Sequence, residues 1–199
     1  MRLCAQNLTL ERGGRRLFEN VCFELHKGTL TRLTGPNGAG KTSLLRVIAG
    51  LGELTQGTIS LEGSDAELGI GAQAHFVAHQ EAVKPALTAR ENLEFWQGFL
   101  GGGSVEAALD AFALGPLADL PAAWASAGQK RRMALARLAL AFRPLWLLDE
   151  PTVGLDTASE ACLTRLMQAH LQKGGIILAA THVPLQVEAT QEIRLESAS

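Results

Sequence analysis

No stretch of this sequence approaches the ~18 consecutive apolar residues that a membrane-spanning helix requires. The longest apolar run near the C-terminus, Ile176–Ala180, is the length of a single strand. The first residues, Met1-Arg2-Leu3-Cys4-Ala5-Gln6-Asn7, turn polar too soon for a secretory leader. Cysteine is scarce as well. Cys4, Cys22 and Cys162 form an odd set with no close pair and no zinc-like spacing. They read as buried or incidental thiols of a reducing, cytosolic compartment. Nor is there an excess of either charge: the formal net charge is -2, which argues against a protein that neutralises nucleic-acid phosphates. The one basic run, Lys130-Arg131-Arg132, reads as the solvated face of a helix. Internal repeats, low-complexity segments and tyrosine are all missing. What remains is 47% hydrophobic over 199 residues, enough for a compact folded core.

Strand patterns fall at residues 3–10, 21–25 and 29–34, the first two separated by a Gly13-Gly14 hairpin turn. A helical pattern over 42–49 stops at Gly50. Short strands follow at 57–61 and 75–78. Thr88-Ala89-Arg90-Glu91 is a capping box, in which threonine and glutamate satisfy free amides, and it opens a helix to about Phe99. Gly101-Gly102-Gly103 is expected to be a flexible break, and Ser104 to cap a helix running to Leu114. A long amphipathic helix is expected over 129–142, an apolar strand over 145–148, a helix over 159–172 and a buried strand over 176–180. Continuously apolar strands alternating with helices predict a mainly parallel α/β sheet.

Two motifs carry chemistry. Gly35-Pro36-Asn37-Gly38-Ala39-Gly40-Lys41-Thr42 fits G-x-x-x-x-G-K-[ST] in the strand–loop–helix setting that this phosphate-binding loop needs. Its glycines let successive amides curl around anionic oxygens, and the following helix points its positive end at them. Lys41 can reach the β- and γ-phosphates and Thr42 can ligate Mg²⁺. The motif is shared by many functions, but no N-K-x-D guanine-reading element accompanies it. The second motif is Leu145-Trp146-Leu147-Leu148-Asp149-Glu150, which sets two carboxylates where an apolar strand leaves the core. Asp149 suits Mg²⁺ and Glu150 suits the activation of a lytic water.

Ala125-Ser126-Ala127-Gly128-Gln129, before a helix and some twenty residues ahead of the acidic strand, resembles the L-S-G-G-Q element of the ABC ATPases. Ser126, Gly128 and Gln129 match; Ala125 and Ala127 depart from it. The remaining landmarks follow in order: Gln80 after the 75–78 strand, Gly154-Leu155-Asp156 after Pro151-Thr152, and His182 after the 176–180 strand. The resemblance implies a single ATPase domain over 1–199 of P-loop NTPase fold. It would have a mainly parallel core sheet, an antiparallel N-terminal β subdomain and a small helical subdomain at about 81–140. It implies ATP and Mg²⁺ as cofactors, with Gly35 to Thr42 and Ser43 on the nucleotide and Thr42, Gln80 and Asp149 around the metal. Glu150, Gln80 and His182 would be catalytic. Ser126, Gly128, Gln129 and Asp156 would meet the nucleotide of a second copy in an ATP-dependent head-to-tail homodimer. The family's adenine-stacking aromatic is lacking, and Arg12 stands in its place, where a guanidinium plane can stack on a base.

DNA-repair ABC proteins need a long coiled coil between the two glycine motifs, and here only about eighty residues intervene. Ribosome-acting kinds usually carry two ATPase units, too many for this length. A transporter subunit is the better match. The segments Ala89-Arg90-Glu91-Asn92-Leu93-Glu94-Phe95-Trp96 and Ser126-Ala127-Gly128-Gln129-Lys130-Arg131-Arg132 resemble the ATP-binding subunits of haem-exporter, cytochrome c maturation systems. So do Ala134-Leu135-Ala136-Arg137-Leu138 and the acidic strand through Pro151. That likeness implies integral membrane partners, a CcmB-like permease and a CcmC-like haem handler. It implies peripheral attachment to the cytoplasmic face of the inner membrane, and ATP turnover serving haem delivery or release of a haem chaperone. A different small ABC exporter is the alternative, followed by a soluble ABC ATPase not involved in transport. There is no C-x-x-C-H motif, and His26, His75, His79, His170 and His182 show no ligand spacing, so no direct haem binding is expected.

Overall fold

The computed structural model describes residues 1–196. Its strands are β1 (Arg2–Arg12), β2 (Arg15–His26), β3 (Leu30–Thr34), β4 (Gln56–Glu62), β5 (Ala74–Val77), β6 (Leu145–Asp149), β7 (Ile176–Ala180) and β8 (Gln191–Arg194). Its α-helices are α1 (Lys41–Ile48), α2 (Ala89–Leu100), α3 (Val105–Ala111), α4 (Ala127–Ala136) and α5 (Thr157–Gln172). The chain divides into two compact units, one of residues 1–76, 143–151 and 170 onward, the other of residues 77–142 and 152–169. Among the described residues, no helix is long and apolar enough to cross a membrane.

In the first unit β1 pairs antiparallel with β2 on one side and β4 on the other. Gly13 and Gly14 both take positive φ, 60° and 73°, the geometry of the two-residue turn that matches strand twist. β2 is longer than its apolar centre suggests, because the hairpin register runs on to Arg12 opposite Arg15. The second sheet has the order β5-β6-β7-β3-β8, with β3 parallel to β7 and β8 and β6 parallel to β7. β6 and β7 are buried along their whole length, which explains their uninterrupted apolar sequences. Leu33 and Asp149 both pair with Ala180. The carboxyl ends of β3, β6 and β7 therefore finish in one row, the edge at which open parallel sheets bind ligands.

In the second unit the Thr88 hydroxyl accepts from the Glu91 amide at 3.1 Å and the Glu91 carboxylate accepts from the Thr88 amide at 2.8 Å, closing the expected box on α2. α3 begins at its Ser104 cap but stops at Ala111, short of Leu114. Ala113 turns left-handed at φ 49°, and that turn buries Phe112 and Leu114. The glycine triplet is no loose break. Gln97 Nε2 donates to Gly103 O at 2.7 Å, and a Cβ on Gly103 would collide with the Leu140 carbonyl. α4 is shorter than its sequence pattern, tightening into a 3₁₀ turn over Arg137–Ala139. Its second half is buried all round, not on one face: Met133 to Leu138 are all in the interior. The basic run is not a solvated face either, since Arg131 is buried.

Candidate functional site

β3 delivers the chain to the glycine-rich loop at Thr34, whose carbonyl accepts from the Leu195 amide at 2.8 Å. That pairing brings the Leu195 carbonyl so close to Gly35 that no Cβ would fit, and Gly35 also has a φ of 140°. At the other end Gly40 caps α1 with a φ of 95°, pressed onto the Phe18 ring and Leu17. The loop's shape is thus dictated by backbone and core from both sides. No side chain caps α1, and its first helical bond runs from the Leu44 amide to the Gly40 carbonyl at 2.8 Å. The amides of Lys41, Thr42 and Ser43 precede that bond, so the helix leaves them at the mouth of the loop. Lys41 reaches back over the loop, its Nζ donating to Gly35 O at 2.7 Å and Pro36 O at 3.1 Å. An ammonium held there is poised beside any anion in the loop.

Across the sheet edge the Thr42 hydroxyl donates to Asp149 Oδ2 at 2.8 Å. Asp149, the last residue of β6, is buried. Glu150 is not its strand neighbour on the opposite face, as simple alternation suggests. It lies past the strand with a φ of 46°, its amide donating to the Ala180 carbonyl at 2.8 Å. A non-glycine residue in that region is strained and held by its surroundings. Glu150 Oε1 lies 3.7 Å from His182 Nε2, on an exposed imidazole two residues beyond β7. Between them Thr181 is buried, and its hydroxyl accepts from the Val183 amide at 3.1 Å. Arg12 sits at the end of β1 on a cavity of about 260 Å³ whose lining includes Ser43, Arg46, Val47 and Glu53.

The loop residues Gly35, Pro36, Asn37, Gly38, Ala39, Gly40, Lys41, Thr42 and Ser43 therefore share the first unit with Asp149, Glu150, His182 and Arg12. Gln80, Ser126, Gly128, Gln129 and Asp156 belong to the second. There Ser126 and Gln129 form a capping box on α4: Ser126 Oγ accepts from the Gln129 amide at 3.2 Å and Gln129 Oε1 accepts from the Ser126 amide at 2.8 Å. A Cβ on Gly128 would lie 3.0 Å from the Gly154 carbonyl, so the small residue allows α4 to abut the 152–156 loop. Asp156 Oδ1 accepts from the Ser159 amide at 2.8 Å. Hydrogen bonds from the Ser159 side chain and amide hold the Asp156 carboxyl below its ordinary range. Gln80 is exposed, in a turn just past β5. Sequence reasoning passed over Arg131 and Asn92, whose buried side chains tie down the chain around that turn. No local signal marks Arg131, which acts on a carbonyl 53 residues away, and Asn92, which acts on Lys84 and Thr88, sits in no capping or turn motif.

The family model described as ABC transporter matches residues 18–153. A cytochrome c biogenesis ATP-binding export protein CcmA of Nitrobacter winogradskyi is 52% identical over 201 residues, covering 100% of both chains. The protein of the same description from a Chelativorans species is 49% identical, covering 98% of each. Among solved structures, an ATP-binding cassette captured as a dimer in a post-hydrolysis state with ADP and Pi superposes with a TM-score of 0.82. It is 26% identical over 99% of this chain and 97% of that one. With a family match over most of its length and relatives about half identical from end to end, this chain belongs to the ABC transporter family, as an ATP-binding subunit of the CcmA group.

Proposed function

We propose that this chain drives an exporter of cytochrome c biogenesis, hydrolysing ATP to power haem delivery or the release of a loaded haem chaperone. The observation that carries the ATPase chemistry is the Thr42–Asp149 hydrogen bond at 2.8 Å beside the open amino end of α1. It sets a hydroxyl and a buried carboxylate oxygen side by side where the loop would hold the β- and γ-phosphates. Both are hard oxygen donors of the kind Mg²⁺ takes, so Thr42 and Asp149 fit that ion; Gln80 as a further ligand rests on the family resemblance alone. When bound, Mg²⁺ supplies neutralisation of the charge on the β- and γ-phosphates. Lys41 adds a second positive group, and the Lys41, Thr42 and Ser43 amides orient the oxygens. Arg12 lines a cavity together with Ser43 and would stack on the base.

Glu150 accepts the proton of the attacking water, and His182 beside it donates to the γ-phosphate. Ser126 Oγ accepts one hydrogen bond in its capping box, which leaves its O–H free to donate. In a head-to-tail homodimer that hydroxyl and the amide of Gly128 would close on the partner copy's γ-phosphate, with Gln129 holding the cap and Asp156 at the same boundary. Attachment is peripheral, on the cytoplasmic face of the inner membrane, through integral partners of CcmB-like and CcmC-like type. Haem and nucleic acid do not bind this chain itself.

That the relatives are cytochrome c biogenesis export proteins supports the biogenesis reading. Its test is affinity capture of the tagged protein from detergent-solubilised membranes, with the co-purifying chains identified by mass spectrometry. Recovery of a haem-exporter permease and haem handler supports it. Recovery of an unrelated permease leaves the ATPase chemistry standing and overturns the cargo.

A further inference from the structure

From Ala78 to Leu87 the chain has neither helix nor strand, yet both ends of the stretch that carries Gln80 are fixed by buried polar side chains. Upstream, Arg131 Nη1 donates to the Ala78 carbonyl at 2.8 Å. Downstream, Asn92 Oδ1 accepts from the Lys84 amide at 2.7 Å, while its Nδ2 donates to the carbonyls of Lys84 at 3.1 Å and Thr88 at 2.8 Å. Lys84 Nζ also stands over the Phe95 ring, 4.5 Å from its centre. Arg131 is 3% exposed and Asn92 4%. Burying groups this polar is costly unless they are bonded, so each is committed to the backbone it holds. Residues 79–83 are the short span left between the two anchors. Arg131 stands on α4, the helix that Ser126 caps, and Asn92 on α2.

We propose that Arg131 and Asn92 clamp the Gln80 turn to the helices of its own unit, so that Gln80 and Ser126 are presented to nucleotide as one rigid piece. Both are positioning residues, and the inference rests on the reading of Gln80 and Ser126 given above. The arginine suits the task because its long side chain reaches from α4 to the Ala78 carbonyl with a charge-assisted hydrogen bond. An unclamped turn would have to order Gln80 anew in each catalytic cycle, which slows turnover without weakening the phosphate loop.

The test uses the purified full chain and a glutamate-specific protease. Cleavage after Glu81, inside the span, is compared with cleavage after the exposed Glu67, which lies in the other unit. Arg131→Met is expected to raise the Glu81-to-Glu67 rate ratio about tenfold, the scale of losing one charge-assisted hydrogen bond, with Arg131→Lys intermediate. Should the methionine variant fail to fold, the lysine variant reads the same ratio. ATP turnover is then measured for Gln80→Ala, Arg131→Met and the double variant. Because the clamp acts through Gln80, the double variant should turn over within about twofold of Gln80→Ala alone, with little change in KM. An unchanged cleavage ratio in both arginine variants overturns the clamp. A raised ratio with multiplicative losses in turnover overturns the positioning role. Wild-type turnover in Gln80→Ala overturns the reading of Gln80 itself, a result the protease ratio keeps distinct from the clamp.

Discussion

Glu150 is held past the end of β6 at a φ of 46°, with its amide tied to β7 and its carboxylate 3.7 Å from His182. Strain of this kind is kept where it aims a side chain. Glu150→Gln preserves the backbone and the side-chain volume and removes only the basic oxygen. Turnover should fall about 10²–10⁴-fold, while fluorescent-nucleotide binding stays at the wild-type level because the loop is untouched. Unchanged turnover would place the base elsewhere. His170 offers a second residue-scale prediction, away from the phosphate loop. Its imidazole stacks on Trp146, ring centres 4.1 Å apart and planes within 14°, and burial holds its pKa down to about 4 from the ordinary 6.5. An unfolded chain takes up this proton below pH 6.5 and the folded one only near 4. The resulting stability is therefore complete above 6.5 and is lost as pH falls through that window, by at most about 3 kcal/mol. Denaturation curves between pH 7 and 4 should show this slope, and His170→Asn, less stable throughout, should show it much reduced. An identical slope in the variant would assign the acid sensitivity to other groups.

At the scale of elements, caps and turns decide how far a local pattern can be read. Thr88, Glu91 and Ser104 announce the starts of α2 and α3, and the apolar runs announce β6 and β7, because each signal lies within a few residues of its effect. The loop from Gly35 to Thr42 was legible for the same reason. The site's second half was legible only as spacing along the chain, since nothing local says that Gly128 must meet Gly154. β8 went unread, its four residues burying only Ile193. The end of α3 and the burial of Arg131 depend on the left-handed Ala113 and on a carbonyl 53 residues away. The glycine triplet shows the same limit: its sequence suggests slack, whereas Gly103 packs onto Leu140. Gly103→Ala should therefore destabilise the second unit by about 1–3 kcal/mol, combining a positive φ of 101° with a backbone collision. Gly102→Ala has no such neighbour and should cost less. Equal denaturation midpoints for the two variants would show the triplet to be slack after all.

For the whole molecule, the division of labour between the two units makes a distinct prediction about assembly. The phosphate loop, Asp149 and Glu150 lie in the first unit, so a monomer holds the groups for binding ATP. Ser126 lies in the second, at the amino end of α4. In the proposed sandwich it is needed only when a second copy closes. Ser126→Arg puts a bulky cation where a hydroxyl should meet the partner copy's γ-phosphate, and also removes the cap, at about 1 kcal/mol. Ser126→Asn retains a capping side chain and serves as the control for that loss. Introduced into a Glu150→Gln background, where ATP would persist, Ser126→Arg should bind nucleotide as the parent does yet remain monomeric by light scattering. The parent should dimerise on adding ATP and Mg²⁺. If the arginine variant dimerises as readily, α4 does not face the partner's nucleotide and the head-to-tail arrangement fails. If it loses nucleotide affinity as a monomer, Ser126 acts within its own chain, and the assignment of binding to one unit and closure to the other must be redrawn.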